Sequence, residues 1–485
     1  MSTATEPASG RTPGPGSGVV PGLARIIGFL VCVEIASGIL QGYYTPIFSD
    51  IADHLSIQDA DVNWFEAAQL VVSALVVPVL ARLGDLIGHR QVLLISTAVT
   101  ALASWALAFA PSFSLFLVAW AIQGFYVVWL PLEVSIIHRR TAGTGAQARL
   151  TRRAAGFLVA ALELGVIVGA VTSGALVEST SMTFLLTLPA IAVSVCFVVV
   201  WFGVAATPPV ATGRLDLKGL SLVTLSILLV MGGLILVRLQ GPGSVWPWLV
   251  LALGLLSLWP FARVELGMEE PLIDVRLMAT ASQWPVQLTA FLFGMSVLGA
   301  QIPLSTFART DPAEAGYGLG ASAGFVSTLI AVYVLSLVFG ALMLPVVARF
   351  LGTRTTMLLA CLLVALGYGL FLPLHDSTGQ TLLNMAIAGI GSGALVAALP
   401  AAAAAAAPAD RTGFVTGMTN TTKTIGGAIA SSVFAIALAS TGSIADVKAG
   451  HAPLSGYLTV WAVCSITALV AAASLYVVPR GAFAD

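Results

Sequence analysis

The chain has 485 residues, 58% of them hydrophobic and only 9% charged, with a net charge of -1. A soluble domain carries roughly 25% charged residues, so the usual polar coat is missing and most of the outer surface must face lipid. The neutral balance and the absence of basic tracts and zinc-type cysteine spacings give no support for a nucleic-acid partner or a metal site, and Cys32, Cys196, Cys361 and Cys464, all in apolar runs, are expected to be free thiols.

Residues 1–23, rich in Gly, Pro, Ser and Thr, predict a disordered cytoplasmic tail. The apolar stretch that follows is too long for a signal-peptide core and lacks a cleavage site, so it predicts a retained first helix. Apolar runs long enough to cross a hydrocarbon core of ~30 Å then recur along the chain. They fall near 25–45, 62–81, 91–110, 113–137, 154–177, 182–204, 219–239, 246–263, 283–307, 321–347, 354–373, 380–406, 412–440 and 454–478. This predicts an all-α polytopic membrane protein with about fourteen transmembrane helices, because open strands cannot satisfy their backbone in lipid.

The loops orient the spans. One alternate set holds Arg82, Arg90, Arg139, Arg140, Arg149, Arg152, Arg153, Arg214, Lys218, Arg263, Arg276, Arg349, Arg354 and Arg411. The other holds only Arg238, Arg309 and Lys448, and its first loop carries Asp50, Asp53, Asp59 and Asp61. Basic loops stay in the cytoplasm, so both termini are expected there. Thr207, Pro208 and Pro209 close the first six helices, and a charged segment from Arg263 to Arg276 precedes the last six. The expected organisation is a first bundle over 24–204, an inserted helix pair with its flanks over 205–282, a second bundle over 283–478 and a cytoplasmic tail over 479–485. Two related bundles place a solute site between them near the bilayer midplane.

Between helices two and three the chain reads Ala81, Arg82, Leu83, Gly84, Asp85, Leu86, Ile87, Gly88, His89, Arg90. Gly84 and Gly88 permit close backbone approach, while Asp85 can accept hydrogen bonds across a bundle interface and has Arg90 nearby, as a gating loop needs. An ordinary charged connection is the competing reading. The segment resembles the loop signature of the major facilitator superfamily, with a weaker echo at Ala348 to Arg354 that lacks the acid. Leu215 to Gly219, Glu270 to Leu277 and Asn420 to Gly427 are similar to stretches of the fourteen-helix drug:proton antiporter branch. Gly165, Gly169 and Gly174 on helix five allow another helix to pack closely. They resemble the antiport motif of that branch, with Ala170 in place of its proline and Ser173 in place of a glycine. Trp120 on helix four stands where the family has a membrane-embedded arginine.

An ionisable side chain deep in the bilayer costs at least ~2.5 kcal/mol on insertion scales and marks a functional site by default. Glu34 lies about 13 Å along helix one from Arg25 at a rise of ~1.5 Å per residue, and it is the first choice for a proton carrier. The resemblance places an acid one turn later, where Ser37 stands. Glu163 and Glu66 are the other proton-coupling candidates, although Glu66 also fits a snorkelling carboxylate near the interface. Glu133 is expected to form a cytoplasmic ion pair with Arg139. Lys423 suits either a structural cation or an anionic group of the substrate, and Gln41, Tyr44, Gln69, Gln123, Trp129 and Gln301 offer polar and aromatic cavity lining.

No nucleophile elbow, metal pair or phosphate loop is present, so an enzyme is not expected. The resemblance implies a monomeric, proton-coupled exporter of a drug or antibiotic-like metabolite in a bacterial plasma membrane. It would take no cofactor, and its partners would be protons, a small-molecule substrate and the lipid bilayer. A facilitator or importer on the same fold and a transport-dead sensor or scaffold are the alternatives.

Overall fold

The computed structural model describes residues 27–142, 147–206, 208–209, 216–268, 271, 273–407, 412–439 and 452–477. Both expected tails lie outside these residues, as do Leu215, Glu270 and Leu272 of the flanking stretches. The first helix, α1, runs Leu30–Gly42 and leads through a 3-10 turn containing Pro46 into a short helix, Phe48–Leu55. Thirteen helices long and apolar enough to cross a membrane follow among the described residues. They are α2 Asp59–Ile87, α3 His89–Ala108, α4 Phe113–Arg140, α5 Arg153–Leu176, α6 Met182–Gly203, α7 Leu217–Gln240 and α8 Val245–Gly267. The remainder are α9 Trp284–Arg309, α10 Ala323–Leu351, α11 Thr353–Leu370, α12 Thr378–Ala405, α13 Val415–Leu438 and α14 Leu454–Tyr476. A 3-10 segment interrupts α4 at Gly124–Val128 and α9 at Leu298–Ala300.

Two apolar cores form. One joins residues of α1 to α6, with Trp129, Phe65, Leu185 and Val200 at its centre. The other joins α9 to α14 around Phe307, Trp461, Phe371 and Phe434 and takes in Val166 and Ala170 of α5. Large apolar side chains such as Phe202, Trp246 and Leu256 are left on the outside, which a lipid-facing surface accepts.

The two halves repeat one fastening. Gly88, with φ 105°, turns the chain from α2 into α3, and Gly352, with φ 77°, turns it from α10 into α11; both angles favour glycine. Two residues past each turn stands an arginine. Arg90 donates to the Val204 and Trp201 carbonyls at the end of α6, each at 2.6 Å. Arg354 donates to the Leu475 and Tyr476 carbonyls at the end of α14. Carbonyls at a helix C-terminus lack intrahelical partners and carry the negative end of the dipole, so an arginine fork satisfies both needs. Arg90 thus reaches α6, and Asp85 meets His89 at 3.3 Å.

The inserted pair is built by caps and small residues. Asp216 accepts from the backbone N–H groups of Lys218 and Gly219 at the start of α7, and Asp274 accepts from Leu277 N–H. Gly233 and Gly254 let α7 and α8 approach closely, and Ser257 donates to Ser226 at 2.7 Å. Met231 of α7 then packs with Leu70 and Val71 of α2 and Ala428 of α13, so the pair lies along the seam between the bundles.

Candidate functional site

The seam is fastened at the end that carries the acidic first loop. Arg309, at the end of α9, donates to Asp50 at 2.9 Å. Ser305 donates to the Thr45 carbonyl at 2.5 Å, and Ser327 of α10 donates to the Ala170 carbonyl of α5 at 2.7 Å. Burial pushes the Asp50 carboxyl above its ordinary range while Arg309 opposes the shift, so this latch loses its charge at a higher pH than an exposed aspartate would. Arg238 lies in the last turn of α7 rather than in a loop, and it grips Asp61 through Nε at 3.2 Å and Nη2 at 3.1 Å. Both side chains are buried, at 1% and 0% exposure. Two of the three bases expected on this side are thus held by acids of the first loop.

Glycines set the approach of helices at the seam and beside it. A Cβ at Gly165 would lie 2.4 Å from the Ile35 carbonyl, and one at Gly169 would lie 3.0 Å from the Ile39 carbonyl. The surfaces they meet are Gly38 and Gly42 of α1, where a Cβ would lie 2.0 and 2.1 Å from carbonyls of Leu162 and Val166. Gly174 serves the other bundle, because its Cβ would strike Ser327 and Ala323 of α10. In α13, Gly426 and Gly427 open the way for Phe291 and Leu298 of α9, and Gly427 also admits Leu70 of α2.

Glu163 of α5 and Lys423 of α13 stand on opposite bundles, both partly exposed, and their charges act on each other. Tyr333 of α10 also feels Glu163. A small pocket is lined by Thr45, Gln301, Ser305, Ile330, Met385 and the same Tyr333. Gln301 therefore reaches the seam, and Gln41 is exposed with its amide on Ser37 at 3.3 Å. Glu66 of α2 is part-buried, and its charge acts on Tyr126 of α4.

Other expected lining residues go elsewhere. Gln123 is fully buried and donates to Tyr44 at 3.1 Å and Ser104 at 2.9 Å. Trp129 is fully buried with its indole on Ser96 at 3.1 Å, and Gln69 reaches the Trp120 carbonyl at 3.5 Å. In this state Tyr44, Gln69, Gln123 and Trp129 make hydrogen bonds inside the first bundle. Trp120 stacks among Tyr44, Phe48, Phe65 and Phe116, with ring centroids 4.5 to 5.8 Å apart.

The expected ion pair of Glu133 with Arg139 is not formed. Arg139 donates to the Pro208 carbonyl. Glu133, fully buried, faces the equally buried Glu34 of α1.

Two helical bundles thus meet along a seam that carries polar side chains from both. The chain belongs to the Major Facilitator Superfamily, whose family model matches residues 30–312 and 286–483. Solved structures agree in fold. An auto-inhibited POT family peptide transporter aligns at 16% identity and a TM-score of 0.68, over 94% of this chain and 97% of that one. The POT family transporter PepTSo aligns at 14% identity and a TM-score of 0.67, over 94% and 98%. The nucleoside transporter NupG, as its D323A mutant, aligns at 14% identity and 0.63, over 95% and 100%. No curated protein matches the chain.

Proposed function

We propose that this transporter exports a small organic compound, a drug or an antibiotic-like metabolite, against entering protons by alternating access. The observation that carries the reading is the pair Glu163 and Lys423, opposite charges on opposite bundles at a partly exposed seam. Such a pair gives the central site one acid that exchanges protons and one cation that answers it. The fastened end faces outward on the charge bias of the loops, so the state described is closed to the outside. Import on the same fold is the second reading, favoured by Ala170 in place of the antiport proline.

The test is uptake of fluorescent drugs into inside-out proteoliposomes under an imposed pH gradient. Gradient-driven accumulation is expected for the wild type and should fall about ten-fold or more in Lys423→Gln. Lys423→Arg should keep much of it, since an opposing carboxylate accepts either cation. Transport that ignores the pH gradient would sink the export reading. Loss of an anionic compound's transport in Lys423→Arg at unchanged thermal stability would instead make Lys423 a direct substrate contact.

Asp85→Asn should slow turnover several-fold while the protein remains folded, because the acid beside Gly84 and Gly88 serves the moving turn between α2 and α3. Unaltered turnover in that variant removes Asp85 from gating.

A further inference from the structure

Two carboxyl groups meet inside the first bundle, away from the Glu163 and Lys423 seam. Glu34 of α1 and Glu133 of α4 are both 0% exposed, and each lies within hydrogen-bonding reach of the other. All four carboxyl oxygens lack any hydrogen-bond donor in the structure. The helices that carry them are tied together, since Arg140 at the end of α4 donates to the Ile27 carbonyl before α1 at 3.2 Å.

Among the described residues, the Cys196 thiol of α6 lies near both glutamates and Cys32 of α1, and the Arg140 guanidinium acts on Glu133. Glu163 of α5 answers to Lys423 instead. Two bare carboxylates cannot stand together in a low dielectric, because each loses its hydration and repels the other. One proton between them removes a charge, turns one oxygen into a donor and gives the other carboxylate its hydrogen bond.

We propose that Glu34 and Glu133 form a two-carboxyl site that holds one proton between them, a second proton-binding site of the transporter within its first bundle. Glu133 is then a partner in proton storage, and Arg140 stabilises the state from which the proton has left. The exchange is a simple transfer: an O–H bond on one glutamate breaks, water at the Arg140 end takes the proton, and the reverse step reloads it. This deepens the proton-coupled reading and rests on it for its role in transport, although the shared proton itself is measurable without any substrate.

The experiment is an infrared titration of the purified full-length protein between acid and alkaline pH, with hydrogen–deuterium exchange identifying carboxylic-acid bands. The wild type should retain a protonated-carboxyl band at neutral pH, and that band should be lost in both Glu34→Gln and Glu133→Gln. In each variant the new amide donates to the remaining carboxyl in place of the shared proton, which favours its charged form. Glu163→Gln should leave the band in place. Glu133→Asp should keep it at a shifted pH, which separates proton sharing from packing. A band that survives unchanged in Glu133→Gln overturns the proposal, because the proton then belongs to Glu34 alone. Absence of the band in the wild type overturns it as well. Failure of pH-driven transport would count against proton-coupled export and leave this spectroscopic result standing by itself.

Discussion

Replacing Arg238 by alanine should destabilise the protein by about 3–5 kcal/mol, the cost of leaving one member of a buried ion pair without its partner. Asp61 would remain at 0% exposure with its carboxylate uncompensated. A double change, Arg238→Met with Asp61→Leu, removes both charges and should recover most of the loss, since well-packed apolar residues substitute for such pairs at little cost. Thermal unfolding of the purified variants in one detergent reads this directly. If the single and double variants unfold at the same temperature, the pair contributes nothing and another contact holds α7 to the start of α2. The effect concerns assembly as well as stability, because Arg238 is the polar anchor of the inserted helix pair on the first bundle.

A side chain at Gly38 should be nearly as damaging. Its Cβ would lie 2.0 Å from the Leu162 carbonyl and 2.8 Å from the Val166 nitrogen, both backbone atoms that no rotamer change can move aside. Gly38→Ala is expected to cost about 1–3 kcal/mol by forcing α1 and α5 apart, and Gly38→Leu more than that. Glycine at position 156, where a Cβ would meet nothing within 4 Å, provides the control, and Gly156→Ala should be neutral. The measurement is the yield of monodisperse protein and its unfolding temperature. A Gly38→Leu variant as stable as Gly156→Ala would mean that α1 and α5 do not cross as described.

Several features were legible in the chain because they depend on runs of one kind. Helix number and span follow from apolar length, since each run must cover the hydrocarbon core whatever its neighbours do. Gly165 and Gly169 are readable as a packing surface by their spacing, and their counterparts Gly38 and Gly42, four residues apart on α1, carry the same signal. The acidic first loop was readable as a topology signal but not as the set of partners for Arg309 and Arg238. Those pairings span 259 and 177 residues of sequence, which no local pattern encodes.

Composition and apolar length alone therefore determined a membrane-spanning helical chain, because lipid imposes its demand on each segment separately. Loop charge alone supplied the expected orientation. Which polar residues share a site was decided only by the tertiary structure, because one face of each helix meets a partner chosen by packing. Gln123, Tyr44 and Trp129 look like cavity lining in sequence and become the hydrogen-bonded interior of the first bundle. Glu133 reads as an ion-pair partner of Arg139, six residues away, until the crossing of α1 and α4 sets it against Glu34. Helical spacing brings groups onto one face of one helix, whereas the meeting of two acids from different helices is a property of how those helices cross.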